Sequence, residues 1–180
     1  MIPEREEIMR SLARHYYYFL NRLPFEDKIY MNSMREARNK FLANCHITLI
    51  KPHLPKKYNN WRYSTDYVSM NALERLMNRK WESSELVYEH VIPKKNYIIN
   101  ECEAKARDES LTEDFIYQIL IKKLWTATIN KEENLKLTKM SLRSKMPNNW
   151  DEEDVMARYK AAGIQLIPHE KNCYFKDVIL

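Results

Sequence analysis

A chain of 180 residues that contains one glycine, Gly163, has few ways to build a sheet-rich fold. Glycine supplies the positive-φ positions on which tight hairpins, bulges and phosphate-cradling loops depend. Its scarcity favours helices joined by short connections. The fold class expected is mainly α with a small β component (α+β), in which a helical N-terminal part precedes a module holding the few strands. A chain of this length can bury about 70% of its unfolded surface, enough for one compact core.

Periodicity divides the chain into three stretches expected to pack together. Residues 1–50 read as an antiparallel helical pair. Pro3 in a first-turn position, followed by Glu4, Glu6 and Glu7, predicts a first helix whose apolar face is Ile8, Leu12, Tyr16, Leu20 and Leu23. A second helix opens at Pro24, Glu26 and Asp27 and runs through Tyr30, Met34, Ala37, Phe41 and Leu42 towards Leu49. Residues 51–84 form a basic, aromatic connector and a short helix capped by Ser69, carrying Leu73, Leu76 and Met77 and ending near Trp81.

Residues 85–180 hold the strands. ELVYEHVI at 85–92, stopped by Pro93, reads as a strand, and WTATI at 125–129 as another. Helices are expected at 94–107 and at 112–124, the latter capped by Thr112. Asn130 with Glu133 forms a capping-box pattern that opens a helix through Leu135 and Leu137. Asp151 is the expected cap of a helix over 152–162 that Gly163 ends, and Ile164 to Ile167 reads as a last strand.

Composition removes several chemistries. One glycine excludes a Gly-rich phosphate loop, and the chain has neither a GxSxG elbow nor an HExxH helix, so no organic cofactor is expected. Cys45, Cys102 and Cys173 are odd in number and widely spaced, which predicts free thiols in a reducing compartment. His169 and Cys173 are four apart, a weak metal signal, and the adjacent Cys45 and His46 point about 100° apart on a helix. A charged N-terminus and the lack of a run of ~18–20 apolar residues predict a cytoplasmic protein without a membrane partner. The formal charge of +5 suits contact with phosphate.

The informative constellation is Glu89-His90 near the end of the first strand, with Asn134 on the helix after the second. A metal-dependent phosphodiesterase needs a carboxylate for a hard cation, an imidazole to deprotonate water and a further oxygen ligand. Those residue types are present. Successive strand residues also point to opposite faces, so the same pair reads equally as a surface carboxylate beside a core imidazole, with Asn134 inert on an exposed helix face. Both readings stand at this point.

Glu89-His90-Val91-Ile92-Pro93, followed by TINKEEN at 128–134, resembles the HNH, or ββα-metal, nuclease superfamily over residues 86–137. The resemblance implies that His90 is the general base, that Glu89 and Asn134 hold a divalent cation such as Mg²⁺, and that Lys94 or Lys95 meets phosphate. The activity implied is a DNA endonuclease of the sort phages and mobile elements carry. The acidic residue is Glu where the family more often has Asp, no cysteine pairs flank it, and two predicted helices separate His90 from Asn134.

Two basic stretches extend the nucleic-acid reading. Lys51, Lys56, Lys57 and Arg62 interleave with Tyr58, Trp61 and Tyr63, pairing phosphate-binding cations with rings that stack on bases. Arg143 and Lys145, after Lys136 and Lys139, flank the helix that carries Asn134. The partner expected is DNA or a nucleic-acid-bound protein. The alternative is a non-enzymatic phage or mobile-element protein that inhibits a host nuclease or CRISPR effector, or a DNA-binding regulator. Residues 51–63 also read as a solvated loop whose aromatics pack back onto the helices, and Arg143 and Lys145 as a solvated surface.

Overall fold

The structure is a computed structural model and describes residues 2–78 and 85–174. Helices α1 (Arg5–Leu20), α2 (Lys28–Ser33) and α3 (Arg35–Ile50) come first, followed by 3-10 turns at Lys51–His53, Lys56–Tyr58 and Trp61–Tyr63. Next are β1 (Tyr67–Ser69), α4 (Met70–Asn78) and β2 (Leu86–His90). A π-helical turn, Lys95–Ile99, leads into α5 (Asn100–Arg107) and α6 (Glu113–Lys123), and β3 (Thr126–Asn130) runs directly into α7 (Lys131–Lys139). The last described elements are α8 (Ala157–Ala161), β4 (Leu166–Pro168) and a 3-10 turn at Lys171–Tyr174. The architecture is thus mainly α with one small sheet. The expected end of the short helix near Trp81 lies outside the described residues.

The chain forms two compact units, each assembled from two stretches: Met1–His53 with Lys94–Leu124, and Leu54–Pro93 with Trp125–Leu180. In the first unit α1 packs on α3, α5 and α6. All five apolar positions expected on its inner face are buried, with Leu12 and Leu20 fully so. Phe41 of α3 stacks on Phe19 of α1 at 4.2 Å between ring centroids. Arg38 forks onto Glu103 with contacts of 2.8 and 2.5 Å, and Arg5 donates to the Ile121 and Leu124 carbonyls at the end of α6. The second expected helix is divided. Asp27 caps α2 by accepting from the Ile29 and Tyr30 N–H groups, and a break at Met34 restarts the chain as α3.

The second unit is built on a four-stranded sheet in the order β2-β3-β1-β4. β2 and β3 are antiparallel, β1 and β3 parallel, and β1 and β4 antiparallel. All five residues of β3 are buried, because a strand with neighbours on both sides is here covered on both faces. One face carries the core of Val91, Ala127, Ile129, Leu137, Tyr159 and Ile164, which brings α7 and α8 onto it. α4 packs on β1 and β3.

Local capping signals formed as the residue types dictate. Asn130 and Glu133 close a reciprocal capping box on α7, Thr112 accepts from the Phe115 N–H on α6, and Ser69 Oγ accepts from the Ala72 N–H on α4. Gly163 adopts φ +59° just past α8, with its N–H bonded to the Lys160 carbonyl and the Ile164 N–H to the Tyr159 carbonyl. That is the 5→2 and 6→1 pair of a Schellman ending. Among the described residues, three other left-handed positions are filled without glycine, by Glu109, Ser141 and Glu152. The last of these explains a departure from expectation. With Glu152 at φ 66°, the chain turns after Asp151, whose carboxylate accepts from the Glu153 and Asp154 N–H groups, and the helix is confined to Ala157–Ala161.

Candidate functional site at the end of β2

Register fixes the surroundings of the Glu89-His90 pair. Glu89 stands opposite Ala127 and His90 opposite Thr126. Val87 packs into the core beneath α7 and α8, and Glu89, two residues on, shares that face by the pleat. Leu86, Tyr88 and His90 take the other face. There the Tyr88 ring meets Trp61 edge-on at 6.3 Å and His90 edge-on at 5.5 Å. His90 is only 8% exposed. The two residues of the pair therefore leave the strand in opposite directions, and Glu89, the one on the side of α7, is the one that shares a face with Asn134.

Arg158 of α8 organises the Glu89 side, and nothing in its sequence surroundings announces it. The side chain is fully buried, and its guanidinium donates to the carbonyls of Val91 (2.8 Å), Leu142 (2.9 Å) and Arg143 (3.1 Å), to the carbonyl of His90, and to Glu89 Oε2 at 2.7 Å. These five acceptors, with the Tyr159 hydroxyl at 3.3 Å as a sixth, explain how the charge tolerates burial. The same fork ties the 142–143 backbone to the end of β2. It thereby brings the start of the basic Arg143-to-Lys145 stretch to the Glu89-His90 segment.

Two oxygens on the α7 side are left over. Glu89 Oε1 accepts no hydrogen bond among the described residues, and Asn134 Oδ1 is buried without a partner among them. An orphaned amide oxygen and one open carboxylate oxygen suit a Mg²⁺ that keeps most of its waters and leans on a substrate phosphate. The guanidinium beside Glu89 works against it by cancelling the carboxylate charge. No group of three His, Cys, Asp or Glu side chains capable of holding a metal occurs among the described residues.

On the opposite face, Asp66 takes the role that sequence reading missed. Its Oδ2 accepts from the Thr126 N–H at 2.8 Å and the Thr126 hydroxyl at 2.7 Å, directly across from His90. Burial first, then the Asp66 carboxylate, push the Tyr88 phenol well above its usual range. A single acid in a loop before a three-residue strand carries no pattern that would have marked it.

The basic residues are divided between the units. Lys51, Lys94 and Lys95 belong to the first, and Lys56, Lys57, Trp61, Arg62, Arg143 and Lys145 to the second. Lys51, Lys56, Lys57, Lys95, Arg143 and Lys145 are exposed, and Lys94 and Trp61 are half-buried. Arg62 is buried: its guanidinium lies 4.3 Å from the Trp61 ring centroid and donates to Asn60 Oδ1 at 3.1 Å. Tyr58 and Tyr63, expected as stacking rings, are also buried and meet each other edge-on.

The remaining thiol and imidazole candidates are occupied otherwise. Cys102 is buried, which pushes its thiol up to about 12, and burial likewise raises Cys45. The His169 ring sits between Thr65 Oγ1 (3.0 Å) and the Tyr174 hydroxyl (2.9 Å), so both nitrogens are engaged. The Cys173 side chain lies outside the description. No helix among the described residues is long and apolar enough to cross a membrane. Compared with known proteins, the chain matches no family model, no curated protein and no solved structure.

Proposed function

We propose that this protein is a metal-dependent DNA endonuclease of the ββα type. The observation that carries the reading is that antiparallel β2 and β3 run directly into α7, with the open oxygens of Glu89 and Asn134 on the α7 side of the pair. In this reading Glu89 and Asn134 hold a divalent ion, which would polarise the scissile phosphate. Arg143 and Lys145, tied to the end of β2 through Arg158, grip the DNA backbone.

The test is nicking of supercoiled DNA with Mg²⁺ or Mn²⁺. Activity is expected in the wild type, is lost on chelation, and falls by about tenfold or more in Asn134→Ala, with circular dichroism showing the fold retained. A wild type that leaves several DNA substrates intact with both metals, or an Asn134→Ala variant as active as the wild type, sinks the reading.

One observation favours a second reading. Arg158 already neutralises Glu89, as a structural ion pair would. The protein would then bind DNA or a nucleic-acid-bound protein without cutting. Its DNA affinity would survive His90→Ala, and would fall steeply with added salt because phosphate contacts release counterions.

A further inference from the structure

A cleft of about 390 Å³ opens in the second unit between the start of α7, the start of α4 and the turn after α8. Small-molecule sites span roughly 300–1,000 Å³, so the space fits a compact ligand. Its polar groups have senses fixed by Glu133. Asn130 is 5% exposed, and its Oδ1 accepts from the Glu133 N–H at 2.8 Å, so its Nδ2 hydrogens are left over with no partner among the described residues. Asn71 must donate its Nδ2 to Glu133 Oε1, at 3.1 Å, which leaves its Oδ1 as a spare acceptor. The carboxylate has three of its roughly four acceptor sites taken, since Oε2 accepts from the Ser69 hydroxyl (2.5 Å) and the Asn130 N–H (2.9 Å). The Glu133 backbone N–H thus sets Asn130 with donors to spare, and the Glu133 carboxylate sets Asn71 with an acceptor to spare.

A spare donor and a spare acceptor lining one cleft complement a nucleobase edge, which presents acceptor and donor side by side. Gln165 adds a third carboxamide with no partner among the described residues, and Met70 and Ile164 add apolar surface for the face of a ring. Lys136 supplies charge. It follows Glu132 by four residues on α7, in the order that ordinarily pairs on a helix, yet the two form no ion pair among the described residues. The ammonium lies instead 3.5 Å from where a Cβ on Gly163 would stand. An unpaired ammonium at a base-sized cleft suits one phosphate group. The Glu132 carboxylate in the same lining, also unpaired among the described residues, disfavours the higher charge of a di- or triphosphate.

We propose that this cleft binds a nucleoside 5′-monophosphate, with the base edge on Asn71 and Asn130 and the phosphate on Lys136. The site is separate from the Glu89-His90 segment and does not rest on the nuclease reading.

The test titrates the full chain with AMP, GMP, CMP, UMP, ribose 5-phosphate and inorganic phosphate, read by calorimetry and by amide shifts in ¹⁵N-labelled protein. At least one nucleotide should saturate with 1:1 stoichiometry, and ribose 5-phosphate should bind at least about tenfold more weakly. Lys136→Met and Gln165→Leu, both exposed changes, should each weaken that nucleotide by about tenfold or more, whereas His90→Ala should bind it unchanged. Failure of all four nucleotides to saturate the protein overturns the proposal. So does equal binding of inorganic phosphate, or a Lys136→Met variant that binds as the wild type does. A failed nicking assay leaves the proposal standing.

Discussion

His169 shows how far a single residue's role depends on neighbours distant in sequence. Its partner Thr65 is 104 positions away, and Thr65 Oγ1 also lies 3.0 Å from Thr128 Oγ1 and donates to the Tyr67 carbonyl at 2.8 Å. Burial first, then the Lys171 ammonium, hold the His169 pKa down to about 3. Lys171 donates to the Thr65 carbonyl at 2.8 Å, and burial lowers its own pKa as well. An unfolded histidine titrates near ~6.5, so between about pH 6.5 and 3 the unfolded chain binds the proton and the folded chain does not. The contribution of the neutral ring is complete above that window and is lost as pH falls through it, with a slope of at most about 1.4 kcal/mol per pH unit. Urea unfolding of wild type and His169→Gln between about pH 7 and pH 4 should give stability curves that converge towards acid with about that slope. Parallel curves would show that the ring does not gate proton uptake. The sequence offered only the spacing to Cys173, which marked the right residue for the wrong chemistry.

Among the elements, α8 depends on one side chain. A five-residue helix has little stability of its own, and Arg158 fastens it to β2 through the Val91 and His90 carbonyls and Glu89, and to the 142–143 segment through two more carbonyls. Removing one member of a buried ion pair strands the other, so Arg158→Ala should cost about 3–5 kcal/mol in urea unfolding. Lysine keeps the charge but cannot fork to several carbonyls, and Arg158→Lys should still lose more than about 1 kcal/mol. A loss below that in both variants would mean the fork is not what holds α8. The helices capped by Asn130, Thr112 and Ser69 were legible because capping is a local match of side chain to backbone. β1 was not, since three residues carry no periodicity and Tyr67–Ser69 becomes a strand only where β3 and β4 flank it.

At the scale of the whole molecule, the second unit is interrupted by residues 94–124, which belong to the first. The interruption begins and ends at one place, because the Val91 N–H bonds the Trp125 carbonyl at 2.7 Å, one step beyond the pairing of His90 with Thr126. Replacing 94–124 by a short Asn-Gly turn in a chain of residues 54–180 should therefore give a protein that unfolds cooperatively with mixed α/β circular dichroism. A product without a cooperative transition would show that the second unit cannot fold alone. By itself the sequence determined what depends on near neighbours: the dominance of helix in a chain with one glycine, the helix caps at Asn130, Thr112 and Ser69, the strands read at 85–92 and 125–129, and the helix stop at Gly163. Only the tertiary structure decided which chemistry those elements can carry. It placed Glu89 and His90 on opposite faces, buried Arg158 against one of them, and decided that Arg62, Tyr58 and Tyr63 of the basic connector are buried. The reason is physical. Caps and periodicity are set within a few residues, whereas burial and ion pairing are set by which segments meet across the sheet, and composition is silent on that.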